Sequence, residues 1–298
     1  TTKGADIWFD KEAMAPLLKE VTCPDCGSQD LNPESDILDV WFDSGVSYAA
    51  VLEKEKDLTF PADLYLEGSD QHRGWFHSSL LTAIGTRDKA PYNTVLTHGF
   101  VVDGNGKKYS KSAKNYSPPD KVIQAYGAEI LRLWVASEDY RNDIRVSDEI
   151  IKRLVEAYRK IRNTLRFILG NIGDYSPKES PLDYDNLLEI DKWALHQLQK
   201  LVTRLHKAYD DYSFHVVFHE LNKFCTVTLS AFYLDILKDR LYTSKKESPE
   251  RKAAQQVLFE LAKILPQIMA PVLSFTAEEV WSHMGDFEGK DSSVHLTS

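Results

Sequence analysis

Lysine residues crowd one short loop of a chain that is acidic overall. The stretch GNGKKYSKSAKN (104–115) contains four lysines, whereas the whole 298-residue chain has a formal net charge of −9. Ammonium groups this close repel one another, so we expect a mobile loop unless an anion neutralises them. Lys108, Ser110, Lys111 and Ser112 form the pattern K-x-S-K-S, in which two ammonium groups could follow charge that moves along a polyphosphate.

Two other interpretations of this loop were weighed against a polyphosphate site. A P-loop is excluded, because Gly99 and Gly104 have the right separation but Asn105 stands where the lysine is required. A solvated hairpin tip is the commonest place for a basic loop. The five-residue pattern alone leaves the solvated tip and the polyphosphate site both open.

The elements that would position this loop are short strands around one helix. Two strand-like runs, DLYLEG (63–68) and TVLTHGFVVDG (94–104), flank the helix-like segment QHRGWFHSSLLTAIG (71–85). A strand, a helix of about four turns and a second strand form the βαβ pattern of a parallel sheet. Ligands bind at the carboxyl ends of such strands, where EGSDQHRGW and the lysine loop would both lie. The segment at 117–137 predicts one further helix.

Beyond residue 145 the pattern becomes helical throughout. Stripes of apolar residues at spacings of three and four lie at 190–212, 221–236 and 257–268. Together with a helix at 148–170, they predict an antiparallel bundle of at least four long helices. Thr276 and Glu279 predict a capping box at a final short helix, and SSVHLTS at the end predicts a strand.

The composition is that of an ordinary globular protein, with 43% hydrophobic and 27% charged residues. The length allows about two domains. The sequence contains no apolar run of roughly 18 residues, so we expect no membrane span. The chain begins without methionine and stops just after SSVHLTS, so we expect it to be a piece of a longer protein.

The chain contains three cysteines, Cys23, Cys26 and Cys225, too few for a disulfide framework. This favours a reducing compartment and therefore a cytoplasmic location. Cys23 and Cys26 form a C-x-x-C-G turn, which is half of a zinc site, but no second pair follows. Cys225 lies in an apolar stripe and is expected to be buried. We therefore expect no zinc or other metal site.

Four segments carry a resemblance to one known family. They are DVWFDSGVSYAA (39–50), LYLEGSDQHRGWF (64–76), THGFVVDGNGKKYSKS (97–112) and GAEILRLWVAS (127–137). Together they resemble the isoleucyl-tRNA synthetases of the bacterial type, which are class I aminoacyl-tRNA synthetases. The KMSKS signature of class I stands here as KYSKS, with Tyr109 in place of methionine.

The resemblance continues through the helical half of the chain. The segments DEIIKRLVEAYRKIRNTLRFIL (148–169), DILKDRLYT (235–243) and MAPVLSFTAEEVW (269–281) are typical of the family's anticodon-binding bundle. The resemblance therefore covers nearly the whole chain. Valyl- and leucyl-tRNA synthetases share the architecture but carry different residues in place of GSDQHRGWF.

The resemblance implies an α/β fold, a partial Rossmann-like nucleotide-binding fold with a parallel sheet, followed by an all-α antiparallel helix bundle. Residues 1–38 would be the return segment of the editing insertion. Residues 39–145 would be the C-terminal half of the class I catalytic domain with the KYSKS loop. Residues 146–298 would be the anticodon-binding helical bundle, truncated at its C-terminus.

The resemblance also implies roles for individual residues. The residues expected to bind ATP or the adenylate are Glu67, Gly68, Asp70, His98, Gly99, Phe100, Val101 and Lys111. Those expected to bind the amino acid are Trp41, Gln71 and Trp75. Those expected to act in catalysis are Lys108, Ser110, Lys111 and Ser112. The carboxylates would hold the ribose, the tryptophans would wall the isoleucine pocket, and the lysines would stabilise the triphosphate of ATP, which binds with Mg²⁺.

Plain structural roles stay open for several of these residues. Trp41 and Trp75 could belong to the core, and Asp70 could cap the following helix. His72 and His77 are expected to pack or to face solvent rather than to catalyse. No general base is needed, because the isoleucine carboxylate is ionised at neutral pH.

Residues 141–166 are basic within this acidic chain. They carry eight Lys or Arg against four Asp or Glu, a net charge of +4. A solvated helix face is the commonest role for such a run. In the family this segment touches the inside of the tRNA. The candidate phosphate contacts are Arg141, Arg145, Arg153, Arg159, Arg162 and Arg166.

We therefore expect an isoleucine–tRNA ligase that activates isoleucine with ATP and transfers it to tRNA(Ile), acting as a monomer away from membranes. Class I enzymes also need an H-x-G-H motif. This chain has THGF at 97–100 but no H-x-G-H, so alone it should be inactive. Two alternatives stay open: a tRNA-binding module without catalysis, which would use the bundle, and a valyl or leucyl ligase, which would differ in its pocket residues.

Overall fold

The structure is a computed structural model that describes residues 4–108 and 119–297. The chain divides into two units, Thr1–Thr97 and His98–Ser298, each with its own packed interior. Within the described ranges, no helix is long and apolar enough to cross a lipid bilayer.

The first unit is built around a strand–helix–strand motif. Its elements are, in chain order, a 3-10 helix (Ala5–Phe9), α1 (Lys11–Lys19), α2 (Val40–Gly45), a π-helical turn (Tyr48–Leu52), β1 (Ala62–Gly68), a 3-10 turn (Ser69–Arg73), α3 (Trp75–Arg87) and β2 (Tyr92–His98). β1 and β2 are hydrogen-bonded neighbours in a two-stranded sheet, and α3 connects them. The predicted succession of strand, helix and strand is therefore confirmed, but the second strand ends at His98 and does not run to residue 104 as predicted.

Close packing of α2 against α3 depends on Gly45. A Cβ atom at this position would lie 2.9 Å from Ser78 Oγ and 3.1 Å from the Ser78 carbonyl carbon. Thr82 Oγ1 donates to the Gly45 carbonyl at 3.2 Å and so ties the two helices together. Because α2 lies this close, Trp41 on α2 reaches the beginning of α3.

A parallel strand pair opens the second unit. β3 (Val101–Asp103) pairs with β4 (Ile144–Val146), and Val101 lies opposite Ile144. Parallel strands need a crossover connection, which here contains helices. The buried Val102 on β3, 3% exposed, anchors the pair in the interior.

Two helices, α4 (Pro119–Tyr126) and α5 (Ala128–Ser137), lie in this crossover. Gly127 separates them with a φ of 87°, a left-handed conformation that glycine adopts without strain. The prediction of one helix over 117–137 is therefore wrong, because the backbone breaks at the glycine.

Helices form most of the rest of the second unit. They are α6 (Asp148–Asn171), α7 (Glu189–Asp210), α8 (Phe214–Lys223), a π-helical segment (Phe224–Tyr233), α9 (Leu234–Thr243), α10 (Pro249–Met269) and α11 (Ser274–His283). The predicted apolar stripes supply fully buried residues such as Leu205, Leu229 and Leu261. The predicted fold class, α/β followed by a helical bundle, is confirmed. A 3-10 turn (Val294–Leu296) stands where SSVHLTS predicted a strand, so that prediction is wrong.

The start of α11 differs from the predicted capping box. Thr276 lies inside the first turn, and Glu279 pairs with Arg162 instead of turning back to the helix N-terminus. The acceptor comes from α5, since the Glu129 carboxylate accepts from the backbone N–H groups of Phe275 at 3.3 Å and Thr276 at 3.2 Å. The capping-box prediction is wrong because a residue 147 positions away along the chain provides the cap.

Candidate functional site

The three residues predicted to bind the amino acid lie together around Gly74. A Cβ atom at Gly74 would lie 2.8 Å from Gln71 Oε1 and 2.8 Å from ring atoms Cζ3 and Cη2 of Trp41. Trp75 follows directly in sequence, and its ring stacks on Tyr65 with the centroids 4.1 Å apart. One indole ring and one amide therefore lie against a short stretch of backbone that has no side chain of its own, and a second indole follows next in the chain.

Local hydrogen bonds hold this group in place. Asp39 Oδ1 caps α2 by accepting from the Trp41 backbone N–H at 2.9 Å. Gln71 Oε1 accepts from the Trp75 backbone N–H at 3.0 Å, at the start of α3. Trp75 Nε1 donates to Ser47 Oγ at 3.3 Å. Hydrogen bonds of their own side chains thus orient Gln71 and Trp75, whereas for Trp41 the cap fixes the backbone at the start of α2.

Trp41 does not belong to the core. Its side chain is 45% exposed, so the core alternative is wrong for this residue. Trp75 is half-buried because one face rests on Tyr65, which is only 4% exposed. Burial raises the pKa of the Tyr65 phenol, and its hydroxyl is hydrogen-bonded with Ser79 Oγ at 3.1 Å. Trp75 therefore has a fixed, uncharged platform beneath it.

The two carboxylates predicted to bind the ribose are both exposed. Glu67 lies near the end of β1, and its Oε2 accepts from the backbone N–H of the buried Gly68 at 3.2 Å. Asp70 Oδ2 accepts from Gln71 Nε2 at 3.1 Å. The alternative that Asp70 caps α3 is wrong, because the first backbone N–H of α3 donates to Gln71. Both carboxylates are open to hydroxyl donors.

The first unit also contains two histidines and two cysteines. His72 and His77 are exposed. Cys23 and Cys26 lie in a tight turn in which the Cys23 carbonyl accepts from the Gly27 N–H at 2.9 Å. The backbone N–H of Cys26 lowers the pKa of the Cys23 thiol by hydrogen bonding to its sulfur. Over residues 4–108 and 119–297, no three His, Cys, Asp or Glu side chains lie close enough to hold a metal ion.

The segment His98–Val101, predicted to line the adenine, begins the second unit. A Cβ atom at Gly99 would lie 2.4 Å from the backbone carbon and oxygen of Asn142, so only glycine fits there. The Phe100 backbone N–H donates to Asp143 Oδ1 at 2.7 Å. These contacts fix the segment against the chain just before β4.

Lys108 is the member of the predicted catalytic set that the structure describes. The others, Ser110, Lys111 and Ser112, lie outside the described residues. Lys108 forms an antiparallel bridge with Val102, and its Nζ lies 3.9 Å from the centroid of the Phe100 ring. The ammonium therefore lies over a residue predicted to line the adenine, a favourable cation–π position.

The chain that leads from β3 to Lys108 is a tight turn. Asp103 Oδ1 accepts from the backbone N–H groups of Asn105 and Lys107, both at 2.9 Å. Gly106 has a φ of 81°, which favours glycine at this position. The glycines of GNGK thus build the turn that brings Lys108 back beside β3.

The six arginines predicted to contact tRNA phosphates differ in their surroundings. Three form ion pairs within the second unit: Arg153 with Glu149, Arg159 with Glu156 and Arg162 with Glu279. Arg141 Nη2 donates to Ser213 Oγ at 3.1 Å. Arg145 is exposed on β4, and its guanidinium lies beside Gly106 in the turn after β3. Arg166 is exposed on α6.

A groove with a volume of about 580 Å³ lies between α6 and α11. Its apolar lining residues are Leu165, Leu169 and Val280. Across it, Arg162 Nη1 and Nη2 donate to the two carboxylate oxygens of Glu279, both at 2.5 Å. The guanidinium holds the pKa of the Glu279 carboxyl below its ordinary value. The sequence did not predict the pairing of Glu279 with Arg162, because TAEEVW suggested a helix cap instead.

Two protein families match separate parts of the chain. Residues 1–147 match the family described as tRNA synthetases class I (I, L, M and V). Residues 191–298 match the family described as anticodon-binding domain of tRNA ligase. The first match contains the Trp41–Trp75 group and Lys108, and the second contains most of the helical bundle.

Curated relatives are similar over almost the whole chain. The chain is 58% identical over 295 residues to the isoleucine–tRNA ligase of Geobacter sulfurreducens, an alignment that covers 99% of this chain and 32% of that protein. It is also 58% identical over 282 residues to the isoleucine–tRNA ligase of Caldanaerobacter subterraneus subsp. tengcongensis, covering 95% and 30%. The chain thus spans about a third of the length of these relatives.

Solved structures of other synthetases share the fold. The TM-score is 0.72 with LeuRS of Agrobacterium radiobacter K84 in a ternary complex with tRNA and LeuAMS, at 18% identity, covering 98% of this chain and 35% of that one. It is 0.66 with the methionyl-tRNA synthetase of Mycobacterium tuberculosis in complex with methionyl-adenylate, at 17% identity, covering 80% and 48%. At these identities the likeness concerns the fold alone.

Proposed function

The chain belongs to the isoleucine–tRNA ligase family of class I synthetases, and we propose that the full-length protein that contains it activates L-isoleucine with ATP and transfers it to tRNA(Ile). The observation that carries this proposal is the convergence of Trp41, Gln71 and Trp75 around Gly74. Rigid indole rings beside an oriented amide suit a ligand with one apolar, branched end and one polar end.

The amino acid is bound by this group. Trp41 and Trp75 wall the side-chain pocket, and Gln71 contacts the ammonium. Gln71 Oε1 keeps a lone pair beyond the one that accepts from Trp75, so it can accept from an ammonium N–H. Shape alone separates one methylene by only about 1–3 kcal/mol, so this pocket discriminates isoleucine from valine only partly.

ATP arrives as its Mg²⁺ complex and is a substrate. Glu67 and Asp70, next to Gly68, accept the ribose hydroxyls. The adenine is lined by His98, Gly99, Phe100 and Val101. Lys108 and Lys111, with Ser110 and Ser112, bind the triphosphate.

The isoleucine carboxylate attacks the α-phosphorus and forms the carboxyl–phosphate bond. The bond from the α-phosphorus to the bridging oxygen breaks, and pyrophosphate leaves with that electron pair. The ammonium groups stabilise the charge that develops on the leaving group. The carboxylate attacks in its ionised form, so no proton has to be removed.

The second unit binds tRNA(Ile) in this proposal. Residues 146–298 act as the anticodon-binding bundle, residues 39–145 as the C-terminal half of the catalytic domain, and residues 1–38 as the return segment of the editing insertion. The basic run at 141–166 contacts the tRNA backbone through Arg141, Arg145 and Arg166, and through its ion-paired arginines Arg153 and Arg159 where a phosphate displaces the carboxylate. The enzyme acts as a monomer in the cytoplasm.

The test is isoleucine-dependent exchange of pyrophosphate into ATP by the full-length protein. We expect exchange with isoleucine, weaker exchange with valine, and none with leucine. The 298-residue chain alone should show no exchange, because it contains no H-x-G-H motif. If pyrophosphate exchange is fastest with valine or leucine, the protein is instead a valyl or leucyl ligase. No exchange by the full-length protein, with tRNA binding intact, would leave only a tRNA-binding module.

A further inference from the structure

The groove between α6 and α11 presents two guanidinium groups in different states. Arg162 is paired with Glu279 through two hydrogen bonds, and their side chains are 44% and 46% exposed. Arg166 lies one helical turn further along α6 at the same groove. Its guanidinium has no ion-pair or hydrogen-bond partner among the side chains of residues 4–108 and 119–297. The positive charge of Arg162 is therefore balanced by a carboxylate, whereas that of Arg166 is not.

We propose that this groove binds one unpaired nucleotide of tRNA, with the Arg162–Glu279 pair reading the edge of the base and Arg166 holding a phosphate. The proposal rests on the proposed function, because it takes tRNA as the partner. It gives Arg162 a role different from that of a plain phosphate contact.

Arg162 is poorly suited to a phosphate because of Glu279. A phosphate near this guanidinium would also lie near the carboxylate, and the repulsion would offset much of the attraction. An unpaired base carries no net charge and shows donors and acceptors side by side on its edge. Glu279 can accept from a base N–H while Arg162, which has donors to spare, gives one to a base acceptor.

The pair is held in position before any ligand arrives. The Thr276 hydroxyl on α11 is hydrogen-bonded with the Tyr158 hydroxyl on α6 at 2.8 Å, one turn before Arg162. Glu129 fixes the start of α11 through two backbone N–H groups. Because both helices are pinned beside the groove, little side-chain freedom is lost on binding, which favours affinity and selectivity.

The groove also suits a nucleotide in size and polarity. Its volume of about 580 Å³ lies within the range of about 300–1,000 Å³ that is typical of small-ligand sites. Leu165, Leu169 and Val280 provide an apolar lining for the face of a base. The uncompensated Arg166 can take the adjoining phosphate in a protein whose overall charge is negative.

The experiment measures binding of the full-length enzyme to tRNA(Ile) at several salt concentrations. The probes are the natural sequence and transcripts in which each unpaired anticodon-loop base is replaced in turn. Arg166→Gln should weaken binding to every transcript by the same factor. It should also make the slope of log affinity against log salt shallower by about 0.7, the value for one phosphate of a single strand.

Glu279→Gln should act differently, because it leaves Arg162 without its counter-charge. We expect a steeper salt slope, together with a loss of about tenfold in discrimination at one base position. The matched control is Asp235→Asn, which makes the same charge change in the exposed ion pair with Lys238 on α9. It should leave base discrimination unchanged. Cooperative melting with midpoints within a few degrees of the wild-type value would show that the variants are folded.

The groove assignment is overturned if Glu279→Gln keeps full base discrimination. It is also overturned if Arg162→Gln lowers the salt slope as Arg166→Gln does and leaves discrimination intact, since Arg162 would then be a phosphate contact. A wild-type enzyme that binds all tRNAs equally contradicts the proposed function itself. If the wild-type enzyme binds tRNA(Ile) selectively but the variants change neither base discrimination nor the salt slope, only the groove assignment is contradicted.

Discussion

Glu129 on α5 caps α11 by accepting from the backbone N–H groups of Phe275 and Thr276 at 3.3 and 3.2 Å. Glu129 is only 8% exposed, and it satisfies the Thr276 N–H, which would otherwise be buried without a partner. It also meets the positive end of the helix dipole. α5 is thereby fastened to α11, the helix that carries Glu279.

We expect Glu129→Ala to lower the free energy of unfolding by about 1–3 kcal/mol, because the buried Thr276 N–H loses its acceptor. Urea denaturation followed by circular dichroism measures this change. Glu156→Ala, which removes a carboxylate paired with Arg159 on an exposed helix face, should change stability by less than about 0.5 kcal/mol. Equal effects of the two substitutions would contradict the capping role.

A second prediction concerns the buried ion pair of Asp191 and Arg240. Asp191 is fully buried, and Arg240 donates to its two carboxylate oxygens at 2.9 and 2.8 Å. The Tyr233 hydroxyl donates to the same carboxylate at 2.7 Å. Asp191→Asn leaves the guanidinium without its counter-charge and should cost about 3–5 kcal/mol in the free energy of unfolding.

The control for this change is Asp235→Asn, in the exposed pair with Lys238. It should cost about 0.2–1 kcal/mol, as exposed ion pairs do. Chemical denaturation of both variants at neutral pH gives the comparison. If both substitutions lower the free energy of unfolding only slightly, the buried charge of Arg240 does not depend on Asp191.

A third prediction separates the amino-acid site from the fold. The three atoms nearest to the Cβ of Gly74→Ala would be at the ends of two side chains, Trp41 and Gln71, each at 2.8 Å. These ends can move, so the fold should survive while the pocket is displaced. In the full-length enzyme we expect kcat/KM for isoleucine to fall by about 10–100-fold in pyrophosphate exchange. The melting midpoint should change little.

Gly85→Ala is the matched control for this substitution. Gly85 lies inside α3 and has no atom within 4 Å of its Cβ position. The control should stabilise the helix by about 0.5–1 kcal/mol and leave exchange unchanged. Unaltered exchange in Gly74→Ala would remove Gly74, and the residues packed on it, from the amino-acid site.

A fourth prediction is a pH dependence at Glu260 on α10. Burial raises the pKa of this carboxyl, and Lys263 offsets part of the effect. A carboxyl whose pKa is higher in the folded than in the unfolded state destabilises the fold when it ionises. Glu260→Gln should therefore raise the melting midpoint at pH 7. The gain should shrink as the pH falls and vanish below about pH 4, near the unfolded pKa.

Glu247 provides the opposite case. Its hydrogen bond from Lys252 lowers the pKa of the carboxyl, so its ionised form stabilises the fold above the unfolded pKa. Glu247→Gln should give no gain at pH 7. A gain from both substitutions would show that loss of negative charge in general, rather than burial of Glu260, is responsible.

The sequence predicted those features that depend on neighbouring residues. Helical stripes and the strand–helix–strand order follow from periodicity and from glycine positions. The break between α4 and α5 had a local signal in Gly127, but the flanking apolar pattern suggested one helix. The pairing of Glu129 with α11 and of Arg162 with Glu279 had no local signal, because the partners lie more than a hundred residues apart.

The candidate site was predicted unevenly for the same reason. Trp41, Gln71 and Trp75 were predicted from the resemblance of short motifs, and the structure adds that Trp41 and Gln71 both lie against Gly74. The count of charges in the basic run 141–166 selected all six arginines as candidate phosphate contacts, without distinguishing among them. It could not separate the ion-paired Arg153 and Arg159 from Arg166, since their partners are a matter of side-chain geometry.

The most direct test of the account is aminoacylation by the full-length enzyme that contains this chain. Purified tRNAs for isoleucine, valine and leucine would each be offered with each of the three amino acids and ATP. We predict stable charging only of tRNA(Ile) with isoleucine. Charging of the valine or leucine tRNA with its own amino acid, and none of tRNA(Ile) with isoleucine, would contradict the assignment.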